Sequence, residues 1–329
     1  MTERLIGYIV KHCPCVTKAY LDNEQVFVEV SQMDFKTLSD LELSLGLKVN
    51  VGCGKHLIYE KGMEFSYKRK YAICRRDDTR TDKLANKIMN GLNGVLDYDE
   101  NNPDLVISVG GDGTMLEAFH RYRNQLDSTC FLGIHTGTLG FYTNYDASEC
   151  DLMIEDIIKD DLKVKDRSLI EVYLNGQFLD YALNEMRVEE NRRTMVMDIL
   201  LNDAFLERFR GNGICICTPA GSTGYNRSLA GSIVCTSLRS MELSEIAGIH
   251  HNQFRSLQSS LVLDERFVVT LAPHQSEHSI LGIDRNVYQL NCEDVVEVRV
   301  SKKVAHFAYY RPLQLGTRLR RAFINDDQW

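Results

Sequence analysis

Proline, tryptophan and long apolar stretches are scarce in this sequence. Five of its 329 residues are proline and one is tryptophan, so a proline-rich disordered linker is not expected. No stretch reaches the ~18 consecutive apolar residues of a membrane-spanning helix. The N-terminus carries Glu3 and Arg4 and lacks the apolar core of a signal peptide. These absences predict a cytoplasmic protein with no membrane partner.

Basic residues are fewer than acidic ones. The chain has 38 Lys and Arg against 46 Asp and Glu, which gives a net charge of −8. A net negative charge argues against a nucleic-acid partner and against a polybasic membrane anchor. Ten cysteines in a chain without an export signal indicate free thiols in a reducing compartment.

Five residues near the N-terminus have side chains that suit tetrahedral zinc. They are His12, Cys13, Cys15, Cys53 and His56. The spacing of Cys13 and Cys15 is tighter than that of usual zinc fingers, and Cys53 lies in a Gly-Cys-Gly turn. A zinc site and unligated thiols are therefore both open interpretations, and unligated thiols are the simpler one.

Three regions of the chain differ in their hydrophobic pattern. Residues 1–69 give few signals and are predicted to form a small N-terminal extension of uncertain structure. Residues 70–167 alternate strand and helix patterns, which predicts an α/β domain with a parallel sheet covered by helices. Residues 168–311 carry hairpin signals such as Asn175-Gly176 between two apolar runs, which predicts an all-β domain. Helical spacing returns in residues 312–326, which are expected to pack back on the α/β domain.

The sharpest motif is the run Gly110 to Thr114, Gly-Gly-Asp-Gly-Thr, directly after the buried-strand pattern Leu105–Val109. A helical pattern follows it. Glycines let the backbone approach a ligand closely, and a helix start offers N–H groups and a positive dipole end to phosphate oxygens. A carboxylate from Asp112 beside bound phosphate is costly unless it holds a metal ion, a hydroxyl or a proton. The alternative is a tight strand-to-helix turn in which Asp112 is only the N-cap.

Further segments follow this motif in a fixed order. They are Gly133 to Tyr142 (GIHTGTLGFY), Leu183-Asn184-Glu185, Arg210 to Gly213 (RGNG) and Thr218 to Asn226 (TPAGSTGYN). Together with the glycine motif they resemble the NAD kinase family, which shares a superfamily with diacylglycerol kinases and phosphofructokinase-like enzymes. Their order and spacing match that family across about residues 70–326.

The resemblance implies transfer of a phosphoryl group from ATP or polyphosphate to the 2′-hydroxyl of the adenosine ribose of NAD. It implies that Asp112 orients the hydroxyl and takes its proton, with Mg²⁺ or another divalent cation close by. It also implies a homodimer or homotetramer with the NAD site near a subunit interface. The residues expected to bind NAD or ATP are Gly111, Gly113, Thr114, Phe141, Tyr142, Asn184, Glu185, Asn212, Thr218, Ala220, Thr223, Gly224, Tyr225, Ser228 and Asp284.

The chemistry of several of these side chains fits such a ligand. Asn184 offers a donor and an acceptor to an adenine edge, and Glu185 can accept from ribose hydroxyls. Tyr225 can stack on a base or pack in the core, and the same alternatives hold for Phe141 and Tyr142. Asp284 matches a ribose-contacting aspartate of the family, or is an ordinary turn residue.

The sequence departs from the family pattern at four positions. Asn212 stands where Asp is usual, Ala220 where Ser or Thr is usual, and Gly224 where Ala is usual. Thr138 occupies a position that is often Arg or His. These changes affect the selectivity for NAD more than the type of reaction. The competing hypotheses are a lipid kinase of the same superfamily and an inactive nucleotide-binding regulator; Asn184-Glu185 and the loop from Thr218 argue against the first.

Overall fold

A computed structural model describes most of the chain. The described residues are 16–22, 25–30, 50–51, 56–59, 69–137, 140–159, 163–190, 192–252, 254–274, 278–291, 293–311 and 315–324, of which the first four ranges are described by their backbone alone. The helices are α1 Thr79–Leu92, α2 Asp112–Tyr122, α3 Cys150–Lys159, α4 Tyr225–Ser228 and α5 Leu315–Phe323.

Strands make up the larger part of the described chain. In chain order they are β1 Val16–Asp22, β2 Gln25–Val30, β3 Asn50–Val51, β4 His56–Tyr59, β5 Lys70–Arg75, β6 Asp97–Tyr98, β7 Leu105–Val109, β8 Cys130–His135, β9 Tyr145–Asp146, β10 Lys163–Leu174, β11 Gln177–Ala182, β12 Glu185–Glu189, β13 Met195–Leu201, β14 Ala204–Gly211, β15 Gly213–Cys217, β16 Ser240–Ile246, β17 Leu261–Asp264, β18 Val268–Pro273, β19 Ile280–Ile283, β20 Asn286–Gln289 and β21 Val296–Tyr309.

The N-terminal segment forms a small sheet of its own. Its strands follow the order β1-β2-β4-β3, and neighbouring strands run antiparallel. Four of the five residues considered for zinc, His12, Cys13, Cys15 and Cys53, lie outside the described residues. His56 is described by its backbone only, within β4. The zinc hypothesis therefore remains a sequence-based prediction.

The α/β part is built on a parallel sheet, as predicted. Strands β6, β5, β7, β8 and β9 pair in parallel. Side chains alternate between the two faces of the sheet, because successive strand residues point in opposite directions. Tyr71 and Ile107 pack with α1 and α3 in one core cluster. Ala72 and Val106 pack with α2 in another. Helices therefore cover both faces. In such sheets ligands bind at the carboxyl ends of the strands.

The C-terminal part is antiparallel, and this also confirms the predicted fold class. A second sheet has the order β17-β16-β15-β12-β19-β20. The parallel strands belong to a larger sheet of order β14-β13-β18-β21-β8-β7-β5-β6, whose first four strands are antiparallel. The inner face of the six-stranded sheet shares a core with these antiparallel strands. Residues such as Val188 and Ile216 meet Ile199 and Leu271 there. The hairpin predicted at Asn175-Gly176 joins β10 to β11. The apolar faces that the two antiparallel layers turn towards each other form this core, as expected for packed antiparallel layers.

One long strand belongs to both parts of the fold. The start of β21 pairs antiparallel with β18, and near its end His306 and Phe307 pair in parallel with β8. Strand β10 runs antiparallel along nearly all of β21, so the predicted boundary between residues 167 and 168 falls inside β10. The domain limits remain a prediction, while the hydrogen-bonded ladder is continuous from the parallel strands to the antiparallel ones. None of the helices within the described residues is long and apolar enough to cross a membrane.

Candidate active site

The glycine motif lies where a buried parallel strand meets a helix. All five residues of β7 are buried, and α2 begins at Asp112 with Gly111 as its N-cap. The hypothesis that Asp112 is only an N-cap is wrong, because its carboxylate does not cap α2. It accepts hydrogen bonds from the backbone N–H groups of Phe141 at 2.8 Å and of Tyr142 at 3.0 Å. Two amides of the loop after β8 thus hold a half-buried carboxylate at the start of α2.

Gly140 makes room for this arrangement. A Cβ atom placed on Gly140 would overlap the carboxylate of Asp112. The glycine is therefore required by close approach, and any side chain there would push Asp112 away from the two amides. Gly137 of the same loop has open space where a Cβ would be.

The Asn-Glu motif lies beside this loop. The hydroxyl of Tyr142 donates to Oδ1 of Asn184 at 2.5 Å. The acceptor of Asn184 is therefore occupied, and its Nδ2 donors are the groups left to face a ligand. The backbone N–H of Thr218 donates to the carbonyl of Asn184 at 2.8 Å, which brings the second glycine-rich loop to the same place.

Glu185 is buried with one carboxylate oxygen unpaired. The residue is 7% exposed, Oε1 lies 3.5 Å from a guanidinium nitrogen of Arg187, and Oε2 has no hydrogen-bond partner among the described residues. Burial and the nearby charge of Asp284 raise the pKa of Glu185 to about 7. A Cβ on Gly224 would lie 3.6 Å from this Oε2, at ordinary van der Waals contact. An unpaired buried oxygen is costly, and a ligand hydroxyl would relieve that cost.

Asp284 follows β19 and holds the backbone of the Asn-Glu motif. Its carboxylate accepts N–H bonds from Leu183 at 2.9 Å, Asn184 at 2.8 Å and Glu185 at 3.1 Å. The same carboxylate is 2.8 Å from Nε2 of His120 in α2. Both oxygens are thus engaged within the protein. The ribose contact expected of Asp284 remains a prediction, and the structure shows Asp284 as the support of Asn184 and Glu185.

The aromatic residues of the site differ in their surroundings. Tyr142 is buried and stacks on Phe307, with ring centroids 5.3 Å apart. Phe141 is half-buried, and its ring centroid lies 5.3 Å from that of Phe323 in α5. The guanidinium of Arg187 lies 5.3 Å from the ring centroid of Tyr225. One face of Tyr225 is therefore already covered, and stacking on a base remains a prediction for the other.

The remaining predicted residues differ in burial and in contacts. Hydroxyls in the second glycine-rich loop serve its own backbone: Thr218 Oγ1 donates to the carbonyl of Leu183 at 2.6 Å, and Thr223 Oγ1 to that of Ala220 at 3.1 Å. Asn212 and Ser228 are exposed. The backbone bonds of Asn212 go to Glu190 and Ile246, so they do not join it to the Asp112 cluster. Thr138 lies outside the described residues. Thr114 is buried, Gly111 is half-buried and Gly113 is exposed, all at the start of α2.

A cavity of about 530 Å³ opens beside the loop after β8. Four predicted site residues line it, Phe141, Tyr142, Ala220 and Thr223. Four basic side chains line it as well, Lys165, Arg167, Arg311 and Arg318. Its volume falls within the range typical of small-molecule sites. The lining also includes the acidic Asp166, and Asp112, Asn184 and Glu185 are not part of it.

Comparisons with known proteins identify the family of this chain. Residues 17–162 match the ATP-NAD kinase N-terminal domain, and residues 183–310 match the ATP-NAD kinase C-terminal domain. The NAD kinases of Staphylococcus aureus strains JH9 and Newman are each 36% identical over 266 residues, which cover 79% of this chain and 99% of theirs. The chain belongs to the NAD kinase family. This confirms the resemblance inferred from the sequence and the assignment as an NAD kinase enzyme, and it disfavours the lipid-kinase hypothesis.

Two solved structures share the fold. Yeast NADH kinase, in a crystal structure with NADH, has a TM-score of 0.70 at 18% identity and covers 80% of this chain and 89% of its own. An NAD kinase from Archaeoglobus fulgidus in complex with ATP has a TM-score of 0.63 at 19% identity and covers 77% of this chain and 99% of its own. At these identities the likeness establishes the fold alone.

Three side chains that contact the candidate site residues or their loops carried no sequence signal. His120 lies on the inner side of α2 and contacts the carboxylate of Asp284. Arg285 donates to the carbonyl of Gly113 at 3.2 Å and pairs with Glu117 at 2.7 Å. Arg318 of α5 contacts the loop after β8. Each is remote in sequence from the residue that it contacts. The helical pattern of α2 indicated only that His120 lies near a buried face.

We predict that His120 makes the stability of the fold dependent on pH. Burial alone would lower the pKa of His120, but its hydrogen bonds with Asp180 and Asp284 outweigh burial and raise the pKa to about 9 from 6.5. The protonated ring therefore stabilises the fold fully below pH 6.5, by on the order of 3 kcal/mol at most, and this contribution is lost as the pH rises through about 9.

Urea unfolding across this pH window tests the prediction. The difference in unfolding free energy between the wild type and His120→Gln should shrink as the pH rises from about 6.5 to about 9.5. His278→Gln, at an exposed histidine, is the control and should show no such trend. A constant difference for His120→Gln would contradict the pKa assignment.

We predict that Gly140→Ala disables the site while Gly137→Ala does not. The methyl group at residue 140 displaces the Asp112 carboxylate, whereas the one at residue 137 meets open space. NAD phosphorylation should fall at least about 100-fold for Gly140→Ala and stay within about threefold for Gly137→Ala. Equal rates for the two variants, with both folded by circular dichroism, would show that the position of Asp112 does not matter.

Proposed function

We propose that this chain transfers the terminal phosphoryl group of ATP to the 2′-hydroxyl of the adenosine ribose of NAD, producing NADP. The observation that carries the proposal is the Asp112 carboxylate, held by two backbone amides at the start of α2. Tyr142 connects Asp112 to Asn184, because its backbone N–H donates to Asp112 and its hydroxyl donates to Asn184. ATP is favoured over polyphosphate as the donor because the Archaeoglobus fulgidus relative with this fold was solved with ATP.

In this reaction the phosphoryl group passes directly from ATP to NAD, and the protein forms no covalent bond with it. A bond forms between the ribose 2′-oxygen and the terminal phosphorus, the bond from that phosphorus to the ADP oxygen breaks, and the hydroxyl proton passes to Asp112. Such transition states are loose, so positioning and charge neutralisation dominate. A carboxylate is a weak base towards an alcohol, and Asp112 therefore takes the proton late. The glycine backbone and the start of α2 supply N–H groups and a positive dipole end to the phosphates.

A divalent cation fits the donor set around Asp112. The described residues contain no group of three His, Cys, Asp or Glu side chains that would form a complete metal site. Mg²⁺ commonly binds through one or two carboxylates together with substrate phosphates and water, so Asp112 alone suffices as the protein ligand. When bound, the ion would neutralise phosphate charge. Asp112 would then contact the ion in addition to the two backbone amides.

We assign the recognition of NAD to Asn184 and Glu185. The Nδ2 group of Asn184 can donate to the adenine, and the unpaired Oε2 of Glu185 can accept from a ribose hydroxyl. The cavity bounded by Phe141 and Thr223 gives the base an apolar wall. We further place the enzyme in the cytoplasm, in keeping with six described cysteines that are all free thiols. A homodimer or homotetramer is proposed from the family resemblance, with the exposed Asn212 as a candidate for the partner-facing part of the site.

Asp112→Asn tests the proposal directly. The variant keeps the size of the side chain but cannot accept the proton, so NADP formation with Mg-ATP and NAD should fall at least about 100-fold. Asp151→Asn, the same change on an exposed carboxylate of α3, is the control and should keep wild-type turnover. Wild-type protein that binds NAD and ATP without forming NADP would instead support the inactive regulator.

We predict that NAD binding releases a proton from Glu185. At pH 7 about half of these carboxyls are protonated, since burial raises the pKa of Glu185 to about 7. A ribose hydroxyl that donates to Oε2 stabilises the charged form, lowers this pKa and expels about half a proton. Calorimetry in buffers of different ionisation enthalpy measures the release. Glu185→Gln should abolish it, and proton uptake by the wild type would contradict the proposed contact.

A further inference from the structure

Arg318 is a buried cation in the tail helix α5. It is 8% exposed, and its guanidinium donates to three oxygens of one short loop. Nη1 reaches the carbonyls of Gly140 at 2.8 Å and Thr143 at 3.0 Å, and Nη2 reaches Oδ1 of Asn144 at 2.9 Å. Burial lowers the pKa of Arg318 to about 10, with a further contribution from the like charge of Arg167. A buried charge is costly to maintain, so these bonds must offset its desolvation.

The loop that Arg318 holds is the one that holds Asp112. Its residues 140–144 present the amides of Phe141 and Tyr142 to the Asp112 carboxylate. The same loop directs the Tyr142 hydroxyl to Asn184. Arg318 contacts the loop on both sides of these two residues. Its position therefore limits how far the amides can move relative to Asp112.

The helix that carries Arg318 has a second attachment close by. Phe323, at the end of α5, packs on Phe141 with ring centroids 5.3 Å apart, and the Arg227 guanidinium lies 3.9 Å from the ring centroid of Phe323. Arg318 and Phe323 thus fix α5 to the loop at two points. Asp112 adds an attractive charge interaction with Arg318, which raises the pKa of the arginine slightly against the effect of burial.

We infer that Arg318 is a positioning residue for phosphoryl transfer, which holds the 140–144 loop so that its two amides keep the Asp112 carboxylate in place. The inference rests on the proposed function for its kinetic consequence. Only arginine has the planar fork of donors that spans three oxygens at once. Lysine offers a single nitrogen and would satisfy fewer of them.

Steady-state kinetics of three variants test the inference. Arg318→Met keeps the length of the side chain but removes its donors, so kcat should fall at least about tenfold while KM for NAD and for ATP changes less than about threefold. Arg318→Lys should lie between this variant and the wild type, with kcat down at least about threefold. Arg321→Met, at an exposed arginine of the same helix, should stay within about twofold of the wild type.

Hydrogen exchange at Phe141 and Tyr142 gives a readout that needs no turnover. These amides should exchange at least about tenfold faster in Arg318→Met than in Arg321→Met, because the loop loses its anchor. If the wild type forms no NADP, the proposed function fails, and the exchange rates still decide whether Arg318 holds the loop. If Arg318→Met does not fold, Arg318→Lys carries both measurements.

Two results would overturn the inference. One is unchanged exchange at Phe141 and Tyr142 in the Arg318 variants. The other is a loss of kcat no larger than the loss of folded protein, measured by thermal unfolding in the assay buffer, which would make Arg318 an ordinary stabilising contact.

Discussion

The site depends on two hydrogen bonds that a loop donates to one carboxylate. Asp112 begins α2, but the amides that fix it belong to Phe141 and Tyr142, almost thirty residues later in the chain. Parallel strands explain this meeting, since the ends of β7 and β8 lie side by side at one edge of the sheet. Charge-assisted bonds from backbone N–H groups are strong and directional, so the carboxylate has a defined place before any substrate arrives. This contact requires a glycine at residue 140, because a side chain on Gly140 would occupy the space of the carboxylate.

From Asp112 the contacts run continuously into the β-rich half. Tyr142 reaches Asn184, Asn184 accepts from the backbone of Thr218, and Asp284 holds the amides on either side of Asn184. His120 joins Asp284 back to α2. The two halves of the chain are therefore linked through the site itself as well as through β21. A change in the packing of either half would alter the distance between Asp112 and the Asn184-Glu185 motif.

The polar groups of the site divide into those satisfied by the protein and those that are not. Asp284, Thr218 and Thr223 bond mainly to nearby backbone, and their role is to hold loops in place. Glu185 keeps a buried oxygen without a partner. Among the described residues this oxygen has no partner, and the ribose contact proposed above would supply one.

The sequence alone determined the class of fold and the motifs of the family. Periodicity separated the α/β half from the antiparallel half, because apolar spacing follows directly from the geometry of helices and strands. The order of the glycine motif, Asn184-Glu185 and the loop from Thr218 identified the NAD kinase family and placed Asp112 at a helix start. These are local properties, and residues near in sequence decide them.

Only the tertiary structure decided which groups hold those motifs in place. Nothing in the pattern around residues 120, 284 or 318 indicated that His120 would meet Asp284, or that Arg318 would reach the loop beside Asp112. Strand β10 crosses the boundary between residues 167 and 168 that the hydrophobic pattern suggested, because it pairs with β21 on both sides of that point. Contacts between residues far apart in the chain depend on how whole elements pack, and a single sequence contains no local signal for them.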